Sequence, residues 1–245
     1  MLILSVGMPR AGSGWHYNLI HDLVVAAGGQ DARAVRQRYY LLRRILTEVN
    51  CNIGSLSRKR LVPVLAPASA PESTFAIKAH AAPTKFALKQ IREGRIQTTY
   101  IYRDPRAALL SAYEYGRRAF ERGRPNAFSH LESVEDAIKF MLGYAEIWEQ
   151  WIKVRQVLTV RYEDLLEYYD AEVERLLSFL KIDARFVAIE PVVEKYRPGE
   201  SSTGDAGLHF HKGQPERFRQ VLSPAELAAA NQAFEPYLDK MGYAL

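Results

Sequence analysis

The stretch Gly7-Met8-Pro9-Arg10-Ala11-Gly12-Ser13-Gly14-Trp15 places three glycines around a single cation, directly after the apolar run Leu2-Ile3-Leu4-Ser5-Val6. Glycines let a backbone take positive φ and turn its N–H groups toward one point, and the N-terminus of a following helix adds partial positive charge there. Such a loop is a cradle for an anion, most often phosphate. A nucleoside-triphosphate loop reads G-x-x-x-x-G-K-[ST], with the lysine on the terminal phosphates and the hydroxyl on Mg²⁺. Gly7 and Gly12 fit that frame, but Ser13 and Gly14 occupy the lysine and hydroxyl places. Arg10 is the loop's cation, ahead of the second glycine. The loop suits an anion held without a metal ion, and no metal ligands are assigned.

Three further clusters follow short apolar runs in the same way: Lys78-Ala79-His80, Arg103-Asp104-Pro105, and Arg161-Tyr162. The four runs read as strands over 2–6, 74–78, 97–102 and 156–161. Between them the apolar spacing switches to a helical period. Leu19, Ile20, Leu23 and Val24 line one face of a helix over 17–27 that stops at Gly28-Gly29, and a second helix is expected over 32–49. Asp104 is a natural N-cap and Pro105 a natural first residue for a helix running toward Arg118. Apolar residues recur at steps of three and four from Ile138 to Ile152, predicting an amphipathic helix over 134–154. Another helix follows Tyr162 and runs through Lys181. Ser223-Pro224-Ala225-Glu226 is a capping box for a C-terminal helix.

The proline-bearing segment 50–73 reads as irregular, and the Gly- and Ser-rich stretch 198–207 as a surface loop suited to act as a lid. Strands alternating with helices predict a parallel α/β sheet with right-handed crossovers, in which ligands bind beyond the carboxyl ends of the strands. All four clusters lie at that edge.

A chain of 245 residues, 48% hydrophobic and 25% charged, is expected to form one soluble domain whose core needs neither disulfides nor a structural metal. Cys51 is the one cysteine, which fits a reducing, cytoplasmic setting. No apolar run approaches the ~20 residues of a membrane span, and a first strand at Leu2 leaves no room for a signal peptide. The net charge of +5 points to an anionic ligand. Much of that charge falls between positions 33 and 60, where Arg33, Arg36, Arg38, Arg43, Arg44, Arg58, Lys59 and Arg60 read either as a solvated helical face or as a binding patch. Nucleic acid is not expected, because neither zinc-knuckle spacing nor an aromatic platform accompanies these charges.

Taken together, the motifs resemble the sulfotransferases that use 3′-phosphoadenosine 5′-phosphosulfate (PAPS). The family's phosphosulfate loop, P-[KR]-[SA]-G-[TS]-x-W, is matched by Pro9-Arg10-Ala11-Gly12-Ser13-Gly14-Trp15. Its 3′-phosphate motif, an Arg at a strand end with a Ser eight residues on, is matched by Arg103 and Ser111. Its K-x-H, Y-E-D-L and late K-G segments are matched by Lys78-Ala79-His80, Tyr162-Glu163-Asp164-Leu165 and Lys212-Gly213. The resemblance runs from Leu2 to about Ser223 and implies a three-layer α/β sandwich around a central parallel sheet, the P-loop-like sulfotransferase fold, as one domain. The acceptor-side segments that vary in this architecture correspond to 32–71, 115–131 and 196–210.

The resemblance implies metal-independent transfer of a sulfuryl group to a hydroxyl or amine of a small-molecule or carrier-bound acceptor, with adenosine 3′,5′-bisphosphate (PAP) as product. Arg10 and Lys78 would stabilise charge on the bridging oxygen, and His80 would be the general base. Arg10, Ala11, Gly12, Ser13 and Gly14 would hold the 5′ end; Arg103, Ser111, His211, Lys212 and Gly213 would hold the 3′-phosphate. Trp15 and Tyr162 would flank the adenine, or else pack as ordinary core aromatics. Arg106 and Arg117 read as solvated. Two departures stand out. His211 replaces an Arg of the late motif, and the dimer motif of cytosolic relatives becomes Arg219 with Ser223-Pro224, so no dimer is inferred. An ATP-dependent P-loop kinase and a catalytically inactive nucleotide-binding module are the rival readings. The missing Lys-Ser/Thr pair speaks against the first, and Lys78 with His80 against the second.

Overall fold

Every residue from Leu2 to Gly7 is buried, as a strand covered on both faces requires, and this run becomes the middle of a parallel sheet. The computed structural model describes residues 1–70, 73–199 and 215–245. In chain order the strands are β1 (Leu2–Gly7), β2 (Asn52–Ile53), β3 (Phe75–Ala79), β4 (Ile96–Tyr102) and β5 (Val157–Arg161). The helices are α1 (Ser13–Ala26), α2 (Ala32–Arg38), α3 (Tyr40–Ile45), α4 (Arg58–Ala68), α5 (Lys85–Arg92), α6 (Pro105–Glu121) and α7 (Val134–Ile152), then α8 (Tyr162–Glu167), α9 (Tyr169–Leu180), α10 (Ile189–Lys195), α11 (Phe218–Val221) and α12 (Pro224–Met241).

The described residues group into two compact units. The first holds 1–7, 12–70, 73–102 and 150–199, and contains the whole sheet in the order β2-β3-β1-β4-β5. Each neighbouring pair is parallel. The chain builds one side of the sheet, β2 and β3, before crossing β1 to build the other. That reversal puts the topological switch point at the carboxyl end of β1, where Gly7 pairs with Ile101 and the glycine-rich loop begins.

Segments 32–49 and 50–73 depart from expectation. The single helix over 32–49 is broken at Tyr39, which is extended (φ −107°, ψ 111°), so that Val35 of α2 and Leu42 of α3 are each buried. Arginines take over carbonyls at the break: Arg43 donates to Gln37 O, and Arg36 to Leu46 O at 2.9 Å. Such side-chain caps substitute for helical bonds that periodicity assumes. Segment 50–73 is not irregular throughout; it supplies edge strand β2 and helix α4, which contains Pro63 and Pro67. Burial of Leu61, Val64, Leu65 and Ala68 along one face outweighs the local penalty of the prolines.

The second unit holds 8–11, 103–149 and 215–245. Its centre is Arg106, 1% exposed, which the sequence reads as solvated. The N-cap Asp104 accepts from Arg106 N at 2.9 Å and from Nε and Nη2 of its guanidinium, at 3.0 and 2.8 Å. The same guanidinium donates to Asn231 Oδ1 of α12 and to Ala244 O, and lies 4.8 Å from the Phe218 ring centroid. A buried arginine with every guanidinium nitrogen hydrogen-bonded thus ties α6 to the C-terminal segment.

Candidate functional site

In the first unit, the pairing of Val6 with Ala79 puts the residue after β3 beside the end of β1. There His80 Nδ1 donates to Gly7 O at 2.6 Å. A carbonyl can only accept, so the proton sits on Nδ1 and Nε2 carries the lone pair. Burial, reinforced by the charge of Lys78, pushes the imidazole down to about 4, against a smaller opposing effect of the Gly7 bond. Lys78 is buried, two residues before His80 on the same side of the strand. It also stands near His16, which burial and the lysine charge together push down to about 3, and whose Nδ1 lies 3.2 Å from Ser5 Oγ. The lysine therefore works beside two imidazoles held neutral.

Helix α1 opens at Ser13 with Gly12 as N-cap, left-handed at φ 73°, with no side-chain cap and no acidic residue in its first turn. Its first N–H groups and dipole favour an anion. A Cβ on Gly12 would lie 2.6 Å from a ring carbon of Tyr162, so glycine alone allows this approach. Trp15 is 3% exposed, stacked on Tyr169 with centroids 6.1 Å apart and edge-on to Tyr162, and its Nε1 donates to Tyr196 O at 2.9 Å. These are packing contacts that lock the start of α1 to the segments after β5.

The second unit takes the middle of the loop. Ala11 N donates to Met8 O at 3.3 Å, closing a turn with Pro9 second and Arg10 third. Arg10 has φ 63°, a value such a turn normally reserves for glycine or asparagine. The strain coincides with a chemically committed side chain. Arg10 Nε donates to Ser111 Oγ at 3.2 Å, and the guanidinium carbon lies 4.3 Å from the Tyr115 ring centroid and 5.9 Å from that of Phe128. Burial lowers the guanidinium pKa, and the charges of Arg118 and Arg103 lower it further, while Tyr115 opposes them.

The two donor motifs read from the sequence, at Arg10 and at Arg103 with Ser111, therefore meet within this unit. Sequence reasoning missed three participants. Tyr115 and Arg118 share one face of α6 with Ser111 at steps of four and three, a spacing visible in the sequence but without meaning until Arg10 is placed against it. His16 gave no signal beyond its position after Trp15. His211, Lys212, Gly213 and most of the expected lid lie outside the described residues.

The sulfotransferase-domain family profile matches residues 2–242. No curated protein matches the chain in a sequence search. Among solved structures, the fold is similar to a mouse sulfotransferase complexed with PAP, at 14% identity and a TM-score of 0.60 over 97% of this chain and 84% of that one. It is also similar to a retinol dehydratase in complex with androsterone and inactive cofactor PAP, at 16% identity and a TM-score of 0.62 over 100% of this chain and 82% of the other. With the family profile spanning nearly its whole length, the chain belongs to the sulfotransferase family.

Proposed function

We infer that this chain moves the sulfuryl group of PAPS to a hydroxyl or amine of a small or carrier-bound acceptor and releases PAP. The observation that carries the reading is the face of α6: Arg10, bonded to Ser111, lies within electrostatic reach of Arg103 and Arg118. Like charges held together disfavour one another, and a bound anion turns that repulsion into attraction. The residues fit a donor with two anionic ends. Arg103 and Ser111 hold the 3′-phosphate, joined by His211, Lys212 and Gly213. Arg10, Ala11, Ser13 and the N–H groups of Gly12 and Gly14 hold the phosphosulfate end, where the positive φ of Gly12 and the uncapped start of α1 favour negative charge. Trp15 and Tyr162 border the adenine.

PAPS supplies a sulfuryl group bonded through oxygen to a phosphate leaving group. As the acceptor oxygen bonds to sulfur and the bridging S–O bond breaks, Arg10 and Lys78 neutralise the charge gathering on the leaving oxygen. The acceptor proton passes to His80 Nε2, kept available by the Nδ1 bond to Gly7 O. Among the described residues, no cluster of His, Cys, Asp and Glu is arranged to hold a metal ion. Melting curves in EDTA test the assignment. PAP should raise the melting temperature more than ATP does, and Arg103→Ala should remove the shift. A larger shift with ATP that requires Mg²⁺ would overturn the reading in favour of a kinase.

A further inference from the structure

We propose that the outer face of α2 and α3 docks this protein onto anionic lipid bilayers. Positions 32–47 contain five arginines and no acidic residue. The break at Tyr39 turns Val35 and Leu42 inward and leaves Tyr40 and Leu41, at 61% and 58% exposure, on the surface beside Arg38, Arg43 and Arg44. Adjacent large apolar side chains left outside by a helix that already has a buried face mark an interaction surface.

Of the five arginines, Arg33 lies 4.0 Å from Asp31, and the charge of the other four is uncompensated. Among the described residues, no carboxylate lies within salt-bridge distance of Arg36, Arg38, Arg43 or Arg44. Three of the four guanidinium groups are instead committed to neutral oxygens. Arg36 donates to Leu46 O, Arg43 donates to Gln37 O through Nε at 3.0 Å and also through Nη2, and Arg44 donates to Tyr40 Oη at 2.6 Å while lying 5.1 Å from its ring centroid. These bonds fix the cations in place without cancelling them.

The occupant follows from that chemistry. A bilayer bearing anionic headgroups needs only the positive field, and accepts a tyrosine ring at headgroup depth with a leucine beneath it. The inference does not rest on the sulfuryl-transfer reading: these residues lie in segment 32–71, expected on the acceptor side, and none of them is assigned to donor chemistry.

Cosedimentation with vesicles tests it. The full chain should bind phosphatidylcholine–phosphatidylserine vesicles, leave pure phosphatidylcholine vesicles alone, and dissociate as salt rises. Each arginine near such a surface adds about fivefold to partitioning, so Arg43→Gln with Arg44→Gln should weaken binding about 25-fold. Arg38→Gln, whose guanidinium makes no hydrogen bond among the described residues, should weaken it about fivefold with an unchanged melting temperature. Tyr40→Ser with Leu41→Ser should weaken vesicle binding while leaving adsorption to polyglutamate intact. Absence of phosphatidylserine-dependent binding in the unmodified chain overturns the proposal. So does vesicle binding that ignores Tyr40 and Leu41 while polyglutamate competes fully, an outcome that assigns the patch to an acidic protein instead.

Discussion

Arg10 is the residue where local strain and proposed chemistry coincide. A left-handed φ of 63° at a non-glycine position costs on the order of 1 kcal/mol, and it persists because Ser111 and the Tyr115 ring hold the side chain. Replacing Arg10 with glycine relieves the backbone while deleting the cation. Arg10→Gly should therefore match or exceed the parent in melting temperature yet lose about 100-fold or more in kcat, as measured by sulfate transfer from labelled PAPS. His80 makes a different prediction. With its pKa at about 4 in the free protein, the imidazole stays a competent base well below the ordinary histidine range. The acid limb of kcat/KM should fall near pH 4 rather than near 6.5, and His80→Ala should abolish turnover while retaining the PAP-induced shift in melting temperature. An active His80→Ala protein would remove it from the base role.

At the scale of elements, α6 and the loop after it form the support for Arg10. Phe128 reaches the guanidinium because the loop lies directly on α6 at Gly116, where an added Cβ would come within 2.1 Å of Phe128 O. Side chains then pin the loop. Ser129 Oγ donates to Gly116 O at 3.1 Å, and Asn126 donates to Tyr115 O at 3.3 Å while accepting from Phe128 N at 2.8 Å. The clash in Gly116→Ala is with backbone, which cannot rotate away. That substitution should destabilise the protein by about 1–3 kcal/mol, read as a melting temperature lower by about 2–10 °C, and should reduce transfer activity through displacement of Phe128 and Tyr115.

Over the whole molecule, the two neutral imidazoles make stability depend on pH with a definite sign. Unfolded histidine titrates near 6.5, whereas His80 and His16 titrate near 4 and 3 in the fold. Below pH 6.5 the unfolded chain takes up protons that the native chain refuses, so stability is complete above that value and declines as pH falls toward 4, by about 1.4 kcal/mol per unit for each group. Urea midpoints from pH 7 to 4 should show this slope, and His16→Asn should remove roughly half of it. By itself the sequence determined the α/β class, the four strands that carry Gly7, Lys78, Arg103 and Arg161, and the glycine-rich turn after the first of them, because buried parallel strands and tight glycine turns depend on residues adjacent in the chain. What only tertiary structure decided depends on residues far apart in it. The burial of Arg106 requires Asn231 and Ala244, the helix through Pro63 and Pro67 requires a face to bury, and the break at Tyr39 requires carbonyls for Arg36 and Arg43. The clamp on Arg10 belongs to the same group, since Ser111 and Tyr115 meet it across about a hundred residues of chain that no local pattern can span.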